Sequence, residues 1–71
     1  MNKVDKYMNL PYKMEIIPDN DEGGYVASFP DLPGCITTGK DMESLIINAN
    51  YAKRAWIEEA IREKIDIPIP Q

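Results

Sequence analysis

The sequence contains no histidine and a single cysteine, Cys35. Without histidine, the chain has no imidazole for acid–base catalysis, for activating a serine or cysteine nucleophile, or for binding zinc. One cysteine excludes an internal disulfide and any site built from several thiolates. These absences argue against most enzyme classes, and we expect no catalytic residue, no cofactor and no bound metal.

Long apolar runs are missing as well. No segment approaches the run of about 18 apolar residues that a transmembrane helix needs. The charged segment Met1–Lys6 is not followed by the hydrophobic stretch of a secretory signal peptide. We therefore expect a cytoplasmic protein.

The chain is short and acidic. A domain of 71 residues buries only about 60% of the surface that its unfolded chain exposes, so its core is thin and a second copy could help to stabilise it. Twelve acidic residues against eight basic ones give a net charge of −4. Nucleic-acid binding needs clustered basic residues, so this composition argues against it and favours a basic protein partner.

Alternating apolar and polar side chains predict two half-buried strands, at residues 12–17 and 24–29. The segment from Pro18 to Gly24 is rich in Asx residues and ends in two glycines, which predicts the turn of a β-hairpin. Residues 35–39 are β-branched and bounded by glycines, and they predict a third strand.

From Asp41 onward the apolar residues follow a helical period. Asp41 is a favourable N-cap, and the helix is predicted over about 42–63. Steps of three and four residues place one apolar stripe along it: Met42, Leu45, Ala49, Ala52, Trp56 and Ala60.

Together these elements predict one α+β domain over residues 1–71. Its core, at about 12–63, is a three-stranded antiparallel sheet with one long helix packed on one face. Residues 1–11 form an N-terminal segment before this core, and the spacing of their apolar residues is compatible with one helical turn. Residues 64–71 alternate isoleucine and proline, which predicts an extended tail that could add an edge strand.

The predicted helix is longer than the predicted sheet. About 22 helical residues span roughly 33 Å, whereas a strand of six residues spans only about 20 Å. The overhanging part carries Trp56, Ile57 and Ile61. Trp56 is either a core residue or an interface anchor, and we predict that these three residues form the interface of a homo-oligomer, most simply a two-fold dimer.

One loop has a more specific sequence than a generic connection: Phe29-Pro30-Asp31-Leu32-Pro33-Gly34-Cys35. It begins with an aromatic residue and contains two prolines followed by a glycine. Taken together with Gly23-Gly24-Tyr25, Gly39, the helix that carries Ala49, Ala52 and Trp56, and Ile67-Pro68-Ile69-Pro70, it resembles the N-terminal domain of HicB antitoxins. The resemblance extends from about Tyr12 to Pro70.

This resemblance implies a partial RNase H-like fold that lacks the acidic active site. It also implies binding to a HicA-type toxin, a small basic mRNA-cleaving ribonuclease whose catalytic surface the antitoxin covers. Full-length HicB proteins usually add a C-terminal DNA-binding domain. This sequence stops at Gln71 without such a segment, so we expect it to mask the toxin without binding DNA itself.

The candidate contact surface for a basic partner is the hairpin turn together with the proline-rich loop. Four carboxylates would supply charge and two residues would serve as apolar anchors: Asp19, Asp21, Glu22 and Asp31, with Tyr25 and Leu32. Each has a structural alternative, since turn carboxylates cap their own backbone and Tyr25 suits a core. Two other functions stay open: a residual metal-dependent nuclease that uses these carboxylates, and an orphan domain that only self-associates.

Overall fold

A short helix, α1 (Lys3–Met8), opens the computed structural model, which describes residues 2–70. The Asn2 side chain caps α1 by accepting a hydrogen bond of 2.8 Å from the backbone N–H of Asp5. Three strands follow: β1 (Glu15–Pro18), β2 (Tyr25–Ser28) and β3 (Ile36–Gly39). A long helix, α2 (Met42–Arg62), comes last.

The strands form one antiparallel sheet in the order β1-β2-β3. Ile16 lies opposite Ala27, which in turn lies opposite Thr37, so these three side chains share one face. The α2 helix covers this face, mainly over β3 and to a smaller extent over β2. The other face carries Ile17, Val26, Ile36 and Thr38, and we call it the open face.

The α2 helix begins at a well-formed cap. The Asp41 carboxylate accepts a hydrogen bond of 2.7 Å from the backbone N–H of Ser44. An ideal Cβ at Gly39 would lie only 2.5 Å from the backbone nitrogen of Leu45, so the missing side chain lets the first turn of α2 pack directly on β3. Leu45, which is fully buried, anchors this end of the helix to the core.

The hydrophobic core lies between the sheet, the proline-rich loop and α2. Half-buried residues such as Met14, Trp56 and Ile67 pack around it. Its buried members come from every part of the predicted domain: Tyr12, Ala27, Phe29, Leu32, Cys35, Leu45 and Ala49. The predicted α+β architecture is therefore confirmed, with a three-stranded antiparallel sheet under one long helix.

Several element boundaries differ from the prediction by one to three residues. The first strand starts at Glu15 rather than at Tyr12, because the chain from Pro11 to Met14 makes no ladder with β2 although Tyr12 is buried. The α2 helix ends at Arg62, where Lys64 adopts a φ of 58°. The N–H of Ile65 bonds to the carbonyl of Ala60 at 2.8 Å, the closing bond of a Schellman motif.

The last described segment, residues 65–70, forms neither helix nor strand. The Tyr12 hydroxyl donates a hydrogen bond of 2.5 Å to the carbonyl oxygen of Pro68, which fixes the segment against the core. The segment is therefore a packed irregular arm and not the edge strand that its composition also allowed. A RNase H-like relationship stays a prediction. Within residues 2–70, neither helix is long and apolar enough to cross a membrane.

Candidate functional site: an acidic end of the sheet

The loop between β1 and β2 is a structured acidic turn. Asp19 Oδ1 accepts hydrogen bonds of 3.1 Å from the backbone N–H groups of both Asp21 and Glu22. The N–H of Asp19 bonds to the carbonyl of Gly24 at 2.9 Å and closes the hairpin. The Asp19 carboxylate thus stabilises the turn and fixes the backbone of Asp21 and Glu22, whose residues are exposed.

This loop packs against the junction between β3 and α2. Gly24 has a φ of 79°, and an ideal Cβ there would lie 2.5 Å from the carbonyl oxygen of Gly39. Only glycine fits such an approach in this conformation. The contact places the acidic turn beside the first turn of α2, and we call this part of the surface the acidic end: Asp19, Asp21, Glu22, Asp41 and Glu43.

An open pocket of about 380 Å³ lies within the acidic end. Asp19, Glu22 and Lys40 line it, together with Gly23, Thr38 and Gly39. Hydrogen bonds from the backbone N–H and the hydroxyl of Ser44, and to a smaller extent the charge of Lys40, hold the pKa of Asp41 below its ordinary value. Asp41 is therefore anionic at neutral pH.

The proline-rich loop between β2 and β3 lies at the opposite end of the sheet. The N–H of Phe29 donates to the carbonyl of Cys35 at 3.1 Å, and the N–H of Leu32 donates to the carbonyl of Phe29 at 2.9 Å. Gly34 takes a φ of 80°, which completes this tight turn. The indole N–H of Trp56 then bonds to the carbonyl of Pro33 at 2.8 Å and ties the loop to α2.

The structure therefore does not bring all the predicted partner-binding residues together. The strand β2 separates Asp31 and Leu32 from the acidic turn by about 13 Å of extended chain. Leu32 is 0% exposed and packs in the core, so it has no surface to offer as an apolar anchor. Tyr25 adjoins the acidic turn, is half-buried and packs against the core.

Residues 12–71 match the family described as HicB_like antitoxin of bacterial toxin-antitoxin system. The chain belongs to this family. The family match begins after α1, at the buried Tyr12, and includes the acidic end, the proline-rich loop and α2.

Curated relatives of this HicB-like chain come from distant organisms. A UPF0150 protein of Thermoplasma acidophilum is 42% identical over 53 residues, which cover 75% of this chain and 77% of the relative. A UPF0150 protein of Synechocystis is 33% identical over 61 residues, or 86% and 80% of the two chains. An uncharacterized 14.9 kDa protein of Haemophilus phage HP1 is 36% identical over 45 residues, covering 63% of this chain but only 34% of the phage protein.

The residues predicted for an oligomer interface differ in their burial in this HicB-like domain. Ile57 is 0% exposed and packs inside the chain, which leaves it no accessible surface for a second copy. Trp56 is half-buried, and its indole is bonded to Pro33 of the same chain. Ile61 is half-buried. An oligomer interface at this end of α2 stays a prediction.

Sequence reasoning missed one ionisable residue of the HicB-like core, Lys53. It is 9% exposed, and its ammonium lies 5.5 Å from the ring centroid of Phe29 and 6.0 Å from that of Tyr12. Its Nζ also donates to the carbonyl of Met8 at 3.4 Å. The sequence spacing could have indicated this burial, because Lys53 lies four residues after Ala49 and four before Ile57, both of which are apolar.

Burial shifts the pKa values of Lys53 and of the neighbouring Cys35. Desolvation lowers the pKa of Lys53, while the nearby Cys35 opposes that shift. Burial raises the pKa of the Cys35 thiol, and the charge of Lys53 partly offsets this effect. Cys35 is therefore a neutral, buried thiol at pH 7.

Across residues 2–70 the structure contains no group of three or more His, Cys, Asp or Glu side chains placed to hold a metal ion.

Proposed function

We propose that this chain binds and masks a small, basic, mRNA-cleaving toxin of the HicA type, and that the acidic end is the surface that contacts it. The observation that carries the proposal is the contact of the acidic turn with the junction of β3 and α2. It brings Asp19 and Glu22 together around one pocket and places them near the start of α2, where Asp41 and Glu43 lie. Membership of an antitoxin family supports a toxin partner in general.

The geometry of the acidic end suits recognition of a basic surface. Four of its carboxylates, those of Asp21, Glu22, Asp41 and Glu43, belong to exposed residues, and Lys40 is the neighbouring cation. The turn and the helix cap hold their backbone through hydrogen bonds before any partner arrives, which reduces the entropy lost on binding. A concentrated negative field also speeds the encounter with a basic protein.

The pocket of the acidic end could receive one particular basic side chain of the toxin. Its volume of about 380 Å³ and its lining by Asp19 and Glu22 suit the guanidinium or ammonium group of a basic side chain from the toxin. Tyr25, the first residue of β2, follows the acidic turn and is half-buried, and its exposed part would supply apolar contact with the stem of that side chain.

The test is binding to the toxin encoded next to this chain, compared between two charge-reversal variants. Asp21→Lys/Glu22→Lys changes the acidic end, whereas Glu58→Lys/Glu63→Lys makes the same change in net charge at exposed positions near the far end of α2. We expect the first variant to weaken binding roughly tenfold or more, mainly through a slower association rate that salt slows further. Equal weakening by both variants would place the contact elsewhere, and wild-type protein that binds no neighbouring toxin would overturn the proposal.

We further propose that the chain acts by binding and not by catalysis, in the cytoplasm where a toxin meets its mRNA substrate. The alternative of a residual metal-dependent nuclease is tested by adding Mg²⁺ and an RNA substrate to the purified chain. Cleavage that disappears in an Asp31→Ala variant would favour the nuclease. The orphan alternative predicts self-association without any binding to a neighbouring toxin.

A further inference from the structure

A groove lies between the end of α1 and the middle of α2, and it contains an open pocket of about 270 Å³. Met8 of α1 forms one wall of this pocket. Four residues of α2 form the rest: Ile47, Asn50, Tyr51 and Arg54. Their spacing places all four on one flank of the helix. We call this site the α1–α2 pocket, and it shares no residue with the pocket of the acidic end.

The apolar walls of the α1–α2 pocket are suited to an aromatic ring. Ile47 is 51% exposed and Tyr51 is 73% exposed, so both offer apolar surface to a ligand. Aromatic rings favour offset or edge-to-face contact with a tyrosine ring. A methionine thioether, such as that of the half-buried Met8, also makes favourable contacts with aromatic rings.

The polar groups of the pocket are available to a ligand. Nη2 of Arg54 lies 3.6 Å from Oδ1 of Asp5, which is longer than a hydrogen bond. The two side chains are 45% and 44% exposed, and an ion pair of this kind contributes little to stability. Within residues 2–70, the side-chain amide of Asn50 makes no hydrogen bond. The pocket therefore presents a guanidinium fork and an amide beside its apolar walls.

The charge around the pocket is positive, in contrast with the whole chain, whose net charge is −4. Of the five lining residues, Arg54 alone is charged. In α1 and the adjoining stretch 47–58 of α2, the cations are Lys3, Lys6, Lys53 and Arg54, and the carboxylates are Asp5 and Glu58. Nζ of Lys53 lies 3.4 Å from the carbonyl oxygen of Met8, which places a second cation at the pocket wall. This part of the surface therefore attracts an anion.

We propose that the α1–α2 pocket binds a small aromatic carboxylate. Arg54 holds the carboxylate through two parallel N–H···O bonds, and the amide of Asn50 donates to one of the same oxygens. The ring lies between Met8 and Tyr51, against Ile47. A cavity of about 150 Å³ accepts benzene, so about 270 Å³ has room for one ring and a short chain that carries the carboxylate.

This site is separate from the proposed toxin contact and does not depend on it. Met8 precedes the residues that match the antitoxin family, which begin at Tyr12, so the pocket requires a segment outside the matched domain. The shape of the site also favours a small ligand over a polyanion. Nucleic acids are bound through many phosphate contacts along a basic surface, whereas here one guanidinium adjoins an apolar pocket.

The test is a titration of the full chain with 3-phenylpropionate, followed by ¹H–¹⁵N NMR spectra. The shifts should saturate with a dissociation constant of about 1 mM, as expected for a small ligand in an open site. They should be largest at the amides of Met8 and residues 47–54. Two further probes should each bind at least tenfold more weakly: 3-phenylpropionamide, which lacks the charge, and propionate, which lacks the ring.

Matched arginine variants test the role of charge. Arg54→Gln should weaken 3-phenylpropionate binding at least tenfold. Arg62→Gln makes the same change at an exposed arginine of α2 that pairs with Glu59, and it should leave binding unchanged within about twofold. Asp5→Asn should strengthen binding about twofold, because the Asp5 carboxylate competes with the ligand for Arg54.

The ring contact has its own variant. Tyr51→Ala changes a residue that is 73% exposed, so the core stays intact, and it should weaken binding of 3-phenylpropionate about threefold or more. Equal affinity for the acid and its amide, or equal weakening by the two arginine variants, would overturn the proposal. Propionate that binds as tightly as 3-phenylpropionate, or shifts that do not saturate, would show a general attraction of anions and would overturn it as well.

Discussion

The indole Nε1–H of Trp56 donates a hydrogen bond of 2.8 Å to the carbonyl oxygen of Pro33. This contact joins the second half of α2 to the proline-rich loop, which lies at the end of the sheet away from the acidic end. Leu32, the residue before Pro33, is completely buried, so the bond lies next to a well-packed part of the core. Trp56 and Leu32 therefore stabilise the same region in different ways, one through a hydrogen bond and the other through core packing.

Replacing Trp56 by phenylalanine keeps an aromatic ring on the core and removes the indole N–H that bonds to the carbonyl of Pro33. We expect the free energy of unfolding to fall by about 0.5–1.5 kcal/mol, the usual net contribution of one hydrogen bond, plus a smaller packing loss. Urea denaturation followed by circular dichroism measures this. An unchanged denaturation midpoint would show that the bond contributes nothing to stability.

Replacing Leu32 by alanine should have a larger effect. Leu32 is 0% exposed, and removing a buried leucine side chain typically costs about 2–5 kcal/mol because a cavity stays behind. Ile65→Ala, at a residue that is 55% exposed, serves as the control and should change stability by less than about 0.5 kcal/mol. Similar effects of the two variants would contradict the assignment of Leu32 to the core.

The end of α2 is a site where a substitution should stabilise the chain. Lys64 has a φ of 58°, in the left-handed region, at the position of a Schellman motif that glycine usually occupies. Residues with a Cβ pay roughly 1–2 kcal/mol in this conformation, so Lys64→Gly should raise the free energy of unfolding by about 1 kcal/mol. Lys64→Ala is the control and should give no comparable gain, because alanine also carries a Cβ.

The pattern of side chains predicted most of the fold because each element has one buried face. Alternation at Tyr25, Ala27 and Phe29 and the helical period from Leu45 onward both follow directly from that geometry. The separation of Asp31 from the acidic turn also follows from a hairpin, since the two loops must leave opposite ends of β2. The types of the residues in the two loops, however, do not indicate how far apart the loops lie in the fold.

Other features depend on tertiary contacts that the sequence does not display. The approach of Gly24 to Gly39 assembles the acidic end from segments that lie fifteen residues apart in the chain. Asp41 and Glu43 are recognisable as helix-start residues, but their place beside the acidic turn is known only from this contact. Lys53 is buried because its ammonium lies over the rings of Phe29 and Tyr12 and reaches the carbonyl of Met8 at the end of α1.

The burial of Lys53 predicts a dependence of stability on pH. Because its folded-state pKa is lowered, the unfolded chain binds more protons between that value and the ordinary lysine pKa of about 10.4. The contribution of Lys53 to the unfolding free energy therefore rises with pH across this window. Lys53→Met keeps an unbranched apolar stem and should abolish that rise. Urea titrations of both proteins between pH 8 and 10.5 measure the difference, and parallel curves would contradict it.

Cys35 predicts a dependence of the opposite sign. It is 4% exposed, and burial raises the pKa of its thiol, although Lys53 acts against that shift. The unfolded chain therefore loses the thiol proton first, so the unfolding free energy contributed by Cys35 falls as pH rises from about 8.5 toward the raised value. Cys35→Ala should lack this fall, although the cavity lowers its stability at pH 7.

The burial of Cys35 also predicts that Ellman's reagent reacts slowly with the native thiol at pH 8 and quickly in urea, because only the opened chain exposes a thiolate. Native reactivity that equals the reactivity in urea would show that Cys35 is accessible, and the pH dependence assigned to its burial would then have to come from another group.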